Sequence, residues 1–243
     1  MPETRPPRIL ALWSAPRSRS TVFFRSMLER PDLVALHEPF CNLLDHGETT
    51  VDGRVVRSAP ALIAAIRELS ATKPVFFKDT TDQPHPGVLA DEEFFREVRH
   101  TFLIRRPDEV AASYYALKPD MDVTEVGLEH LHALHRRALA LGGPRPVVVD
   151  SQDLVDDPAG ILRAYCAEMG LPFRREALSW SAGERQEWSH TARWHGAVSG
   201  STGFSTTGTV YADTASTNPA LAGFSAHHEP FYRELHGERL AVG

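Results

Sequence analysis

The chain opens with a short apolar run, Ile9 to Trp13, that stops before Pro16. After a polar turn, Val22, Phe23, Met27 and Leu28 recur at helical spacing. That pattern predicts a buried strand, a loop and a helix, and it repeats along the chain. Leu33 to Leu36 predicts a strand, Ala59 to Leu69 a helix, and Pro74 to Phe77 a strand entering Lys78. Asp91 to Val98 predicts a helix and Thr101 to Ile104 a strand, with Pro107 opening the next helix where a missing N–H costs little. Val123 to Leu141 is expected as one long helix, Pro146 to Val149 as a fifth buried strand, and Pro158 to Met169 as a helix stopped by Gly170. Strands alternating with helices imply an α/β fold in which a parallel sheet of about five strands is covered by helices on both faces. Residues 198 to 217 turn to Ser, Thr, Gly and Ala, too polar and too small to build a core, and are expected as an irregular flap, and Phe40 to Arg57 is expected as a second loop that bears on the acceptor.

Composition narrows the picture. A chain of 243 residues that is 42% hydrophobic buries a substantial core, and one domain over residues 1–243 is expected. The net charge of −6 argues against a general nucleic-acid binder, which needs Lys and Arg spread over a face. Cys41 and Cys166 lie far apart and outside any metal-ligand spacing, so neither a disulfide framework nor a zinc site is suggested. His130, His132 and His135 do not share a helical face with a completing carboxylate and are read as helix-surface residues. The N-terminus lacks the pattern of a signal peptide. No apolar stretch reaches the roughly 20 residues of a membrane span. The expectation is a cytoplasmic protein that acts on a small molecule, with neither membrane nor nucleic acid as partner; a homo-oligomer or a partner enzyme stays open.

The first strand-to-helix corner is where chemistry enters. In such sheets ligands sit beyond the carboxyl ends of the strands, where backbone N–H groups and a helix N-terminus face an anion. The segment Ala15 to Thr21 occupies that place. Hydroxyls at Ser18, Ser20 and Thr21 can donate to phosphate oxygens and Arg17 adds a fixed multi-donor charge, although Ser20 and Thr21 would equally serve as helix caps. The corner contains neither Gly nor Lys, which counts against the GxxxxGK[ST] loop of ordinary ATPases and kinases.

Pro16-Arg17-Ser18-Arg19-Ser20-Thr21 resembles the 5′-phosphosulfate loop of the sulfotransferase family, commonly PRSGST in bacterial members, which binds PAPS (3′-phosphoadenosine 5′-phosphosulfate) and leaves PAP as product. Phe102 to Ser113 resembles the family's 3′-phosphate element, an Arg at a strand end and a Ser eight residues on, here Arg105 and Ser113. Val147 to Phe173 resembles a third, structural element, with Ser151-Gln152-Asp153-Leu154 where Tyr-Glu-Asp-Leu is typical. The three together cover roughly residues 9 to 173, in order. The resemblance implies a three-layer P-loop-like fold and metal-independent transfer of a sulfo group from PAPS to a hydroxyl or amine of a small acceptor.

It also implies roles for particular side chains. Glu38, after the second strand, corresponds to a general base, with His37 as an alternative on the opposite face of the strand. Lys78 matches a Lys that neutralises oxygens during transfer, and Thr80 stands where many members carry a His. Asp79 and Asp82 remain open as bases or acceptor-binding groups. Arg193, followed by Gly196, Gly200 and Gly203, is a loose match to a segment that closes over the 3′-phosphate. Arg19 replaces the usual Gly of the loop, leaving open whether its side chain turns away from the anion. Two other functions stay in view: an ATP-dependent small-molecule kinase, and a non-catalytic sulfotransferase-like subunit of a biosynthetic complex.

Overall fold

A computed structural model describes residues 8–188, 194, 196–205 and 209–241. Five parallel strands form one sheet: β1 (Ile9–Ser14), β2 (Val34–His37), β5 (Val75–Thr80), β6 (Arg99–Ile104) and β7 (Val147–Asp150), in the order β2-β5-β1-β6-β7. A separate antiparallel hairpin, β3 (Thr49–Val51) and β4 (Arg54–Val56), lies between β2 and β5 in the chain. The helices are α1 (Ser20–Leu28), α2 (Pro39–His46), α3 (Ala59–Thr72), α4 (Pro86–Leu89), α5 (Glu92–Glu97) and α6 (Pro107–Tyr115). They continue as α7 (Leu128–Ala140), α8 (Ser151–Asp156), α9 (Pro158–Met169), α10 (Gly196–Ser199) and α11 (Pro219–Gly237).

Strand alternation sends side chains to two cores. Ile9, Ala11 and Trp13 of β1 pack with Phe77, Ile104 and Val148 beneath α3, α5, α6 and α7, whereas Leu10 and Leu12 pack with Phe76, Leu103 and Val149 against α1 and α9. Burial on both faces is what a parallel sheet requires, and it explains why the strands read as unbroken apolar runs. The helix starts follow local rules. Ser58 accepts from Ala61 N–H at 3.4 Å, Asp91 from Phe94 N–H at 2.9 Å and Asp157 from Gly160 N–H at 2.9 Å, each satisfying a first-turn donor. Gly170 (φ 66°) ends α9 in the left-handed region, as expected from sequence.

Three expectations need correction. Val123 to Leu141 is not one helix: a 3-10 turn over Val123–Val126 is separated from α7 by Gly127 at φ 79°. A Cβ there would lie 2.7 Å from Pro16 Cδ and 2.8 Å from the Thr81 carbonyl oxygen, so only glycine lets this corner approach the Ala15–Thr21 turn. His135 is not at the helix surface but fully buried, edge-on to Phe102 at 5.1 Å. Residues 40–57, expected as loop, hold α2 and the hairpin.

Helix α11 is an addition that the apolar pattern does not announce. It carries Pro230 in its interior and buries Leu221, His228 and Leu235, two turns apart, where it packs over α6 and α7. The described part of 198–217 is irregular apart from the end of α10 and a bridge between Ser179 and Gly203.

Candidate functional site

The carboxyl ends of all five strands point to one side, and a cavity of about 1010 Å³ opens there. The β1–α1 corner forms one wall. Arg17 and Arg19 both adopt the left-handed region, at φ 60° and 64°. For non-glycine residues this costs about 1 kcal/mol each, and alternating conformations of this kind turn successive N–H groups toward one concavity suited to an anion. The Arg19 side chain leaves the turn: its guanidinium donates to the Ser151 carbonyl at 3.0 Å and to Gln152 Oε1 at 3.2 Å. The unusual Arg and the unusual Ser-Gln pair thus contact each other.

Arg17 goes elsewhere than expected. Its Nε donates to Ser113 Oγ at 3.1 Å and a terminal nitrogen to the Trp194 carbonyl at 2.7 Å. Arg105, from the end of β6, donates to the Arg17 carbonyl at 2.8 Å and pairs with Glu109 at 2.7 Å. The corner and the Arg105/Ser113 element are therefore hydrogen-bonded directly to each other, with Arg17 as the joint. Tyr211, from the irregular segment, also donates to Ser113 Oγ, at 2.8 Å. Trp194 stacks on Tyr114 with ring centroids 5.3 Å apart. Burial lowers the pKa of both Arg17 and Arg19, and the nearby Arg105 charge lowers each further. Three guanidinium groups crowded beside one backbone concavity are relieved by a bound anion.

Across the cavity, at the β2 and β5 ends, Glu38 stands at the corner between β2 and α2. It is left-handed too, at φ 49°, with its N–H on the Lys78 carbonyl at 2.7 Å. Its carboxylate Oε1 accepts from Lys78 Nζ, an ammonium that is 1% exposed. Asp79 holds this corner from below: its carboxylate accepts from the N–H groups of Phe40 at 3.3 Å and Cys41 at 2.8 Å. Burial raises the Asp79 pKa to about 8, against the pull of those two donors. Asp79 is thus a helix cap under the site, not a cavity group, whereas Asp82 lines the cavity.

Of the residues expected from sequence, the cavity brings together Pro16, Arg17, Arg19, Ser20, Thr21, Glu38, Lys78, Arg105 and Ser113. Two are not at its wall. Ser18 is fully buried beneath the turn, its Oγ without a hydrogen-bond partner among the described residues. His37 faces the opposite side of β2, packed against Phe24 at 5.0 Å and Trp188 at 5.7 Å, and burial holds its pKa well below the usual value. The imidazole is buried and does not line the cavity, although its Nδ1 lies 3.9 Å from Glu38 Oε2. Arg193 lies outside the described residues. The free thiols of Cys41 and Cys166 are both buried, and the described residues contain no metal-binding cluster. No described helix is long and apolar enough to cross a membrane.

Asp45, Lys118, Glu125 and Tyr211 also line the cavity, and sequence reasoning missed them. They come from α2, the loop after α6, the 3-10 turn and the irregular segment, so no local motif could have marked them.

Over 212 residues the chain is 30% identical to branched-chain-amino-acid aminotransferase-like protein 2 of Arabidopsis thaliana, covering 81% of this chain but only 36% of that protein. The chain thus spans about a third of the length of the curated relatives it matches. The fold is shared with the sulfotransferase domain of the Synechococcus PCC 7002 olefin synthase, with a TM-score of 0.50, 16% identity and coverage of 94% of this chain and 97% of that one. It is shared equally with a sulfotransferase from Alicyclobacillus acidocaldarius, with a TM-score of 0.51, 13% identity and 98% of each chain covered. The family model described as "Sulfotransferase domain" matches residues 7–235, and the chain belongs to that family.

Proposed function

We propose that this chain transfers a sulfo group from PAPS to a hydroxyl of a small acceptor without a metal. The observation that carries the reading is the direct contact between the two anion-binding elements, through Arg17, in the same cavity as the Glu38–Lys78 pair. An adenine nucleotide with anions on both its 3′ and 5′ sides needs two such elements close together. The residues fit it: the Ala15–Thr21 turn and the N-terminus of α1 would hold the phosphosulfate, and Arg17, Arg105 and Ser113 the 3′-phosphate. Arg19 does not count against binding, because its long side chain is held by Ser151 and Gln152 and only its backbone joins the turn.

The donor supplies a sulfur whose bond to the bridging phosphate oxygen breaks as the acceptor oxygen bonds to it, leaving the electron pair on PAP. The acceptor proton passes to Glu38. Oε1 is engaged by Lys78, so Oε2, 3.9 Å from His37 Nδ1, is the atom that would take the proton. The Lys78 ammonium, buried beside that carboxylate, is placed to neutralise charge growing on the departing oxygen. A single buried pair thus provides both the base and the electrostatic stabiliser.

The test is calorimetry of the full chain with PAP and with ATP, each with and without EDTA, followed by PAPS turnover over a panel of hydroxyl and amine acceptors. PAP binding that EDTA does not weaken, together with PAP release in the presence of an acceptor, is expected. Mg²⁺-dependent ATP binding in place of PAP binding would sink the proposal.

A further inference from the structure

The cavity is electrically lopsided, and the unbalanced half bears on the acceptor. At the β1, β6 and β7 ends stand Arg17, Arg19 and Arg105. At the β2 and β5 ends both lysines that line the cavity have a partner: Lys78 contacts Glu38, and Lys118 contacts Glu125. Two carboxylates on that side, Asp45 and Asp82, form no ion pair among the described residues. Asp45 is exposed on the last turn of α2 and accepts from Gln83 Nε2 at 2.8 Å, an uncharged donor.

Asp82 lies deeper, just past the end of β5, and its Oδ1 is buried with no hydrogen-bond partner among the described residues. The Asp82 carboxyl receives hydrogen bonds from the Thr80 hydroxyl and from its own backbone but meets no positive charge among the described residues, and a cavity-lining carboxylate of this kind favours a ligand that brings one. Burial raises the Asp82 pKa against those hydrogen bonds, and the nearby Glu38 and Asp45 charges raise it further.

Building on the sulfo-transfer reading, we infer that the acceptor is an amino alcohol whose ammonium group sits against Asp82 and Asp45 while its hydroxyl faces Glu38. The choice between oxygen and nitrogen as nucleophile follows from charge. An amine held between two carboxylates keeps its proton, has no lone pair to offer sulfur, and remains a spectator. The hydroxyl oxygen forms the new S–O bond, its proton goes to Glu38, and the S–O bond to the phosphate breaks with its electron pair left on the phosphate oxygen of PAP. A carboxylate-bearing acceptor would meet like charge at the same place and be rejected.

Two matched series test this on the full chain: 6-aminohexan-1-ol, hexan-1-ol and 6-hydroxyhexanoate; and tyramine, 4-ethylphenol and 3-(4-hydroxyphenyl)propanoate. Affinities are measured by calorimetry with and without PAP, and kcat/KM with PAPS. The ammonium member of at least one series is expected to be favoured about tenfold or more over its neutral analogue, with the carboxylate member last. Asp82→Asn should reduce that preference by about fivefold. Asp45→Asn, at an exposed position that disturbs no packing, should reduce it by about twofold. Neutral or carboxylate members binding as tightly as the ammonium ones, no measurable binding of either ammonium probe, or a preference that survives both substitutions would each overturn the inference. Failure of PAP to bind is read separately and overturns the donor assignment instead.

Discussion

The two ends of the cavity are built by different means. The end proposed to hold the anions is made of two elements, each local in sequence: consecutive residues at one strand-to-helix corner, and an Arg and a Ser eight positions apart at the end of β6 and on α6. The acceptor end is made of single side chains from α2, the β5 end, the loop after α6 and the 3-10 turn. Binding an anion depends on backbone N–H groups and helix ends, which any sequence with the right turn supplies. Selecting an acceptor depends on which side chains meet, and that is decided by tertiary packing.

The sharpest way to break the comparison is at Glu38. Replacing Glu38 with Gln should lower turnover by roughly 10²- to 10⁴-fold while the dissociation constant for PAP stays within about twofold, since the anion end is untouched. Turnover surviving intact would remove Glu38 as the base. Next in size is Arg105→Met, which should weaken PAP binding by about 10- to 100-fold through loss of a charge-assisted contact. The same variant should weaken AMP, which lacks the 3′-phosphate, by much less. Equal losses for both nucleotides would show that Arg105 does not read that phosphate.

Buried groups outside the cavity lining set how stability depends on pH. His85 and His100 are buried, and burial lowers both to about 4 from their usual 6.5. The unfolded chain therefore binds more protons than the folded one between those values, and stability rises with pH across that window. Asp79, raised to about 8, acts in the opposite sense. Its contribution is complete below the unfolded carboxyl value of 3.8 and is lost as pH climbs toward 8. Two imidazoles outweigh one carboxyl up to pH 6.5, above which Asp79 alone continues to act. Melting temperatures should thus peak near that pH, and Asp79→Asn should abolish the decline on the alkaline side. A decline that persists in the variant assigns it to other groups.

The smallest effect is expected at Arg19. Arg19→Gly removes a left-handed strain of about 1 kcal/mol and also the bonds to Ser151 and Gln152. The two changes nearly cancel, so the melting temperature should move by only a few degrees and PAP affinity by less than about threefold. A large loss of affinity would mean that the guanidinium itself touches the nucleotide.

What could be read from the amino acids follows the same division. The five strands were legible because both faces of each are buried and the apolar runs are continuous. That the Ala15–Thr21 corner, Arg105 with Ser113, and Glu38 with Lys78 would meet at one edge of the sheet was legible because each is fixed by its distance from a strand end. The direction of Arg17 was not, because its partners Ser113 and Trp194 lie 96 and 177 positions away. Nor was α11, whose buried positions are sparse and include a histidine, or the break at Gly127, whose reason is a contact with Pro16 across the molecule. The carboxylates of the acceptor end carry no spacing rule at all.

Gly127 deserves a last look for what its missing methyl group connects. The space that a Cβ would fill touches Pro16, in the corner that faces the anion, and the carbonyl of Thr81, the residue just before Asp82. The two ends of the cavity thus share a single footing. A side chain introduced at position 127 would push on both at once, so on the proposed reading one substitution outside the cavity lining would disturb the donor and acceptor ends together.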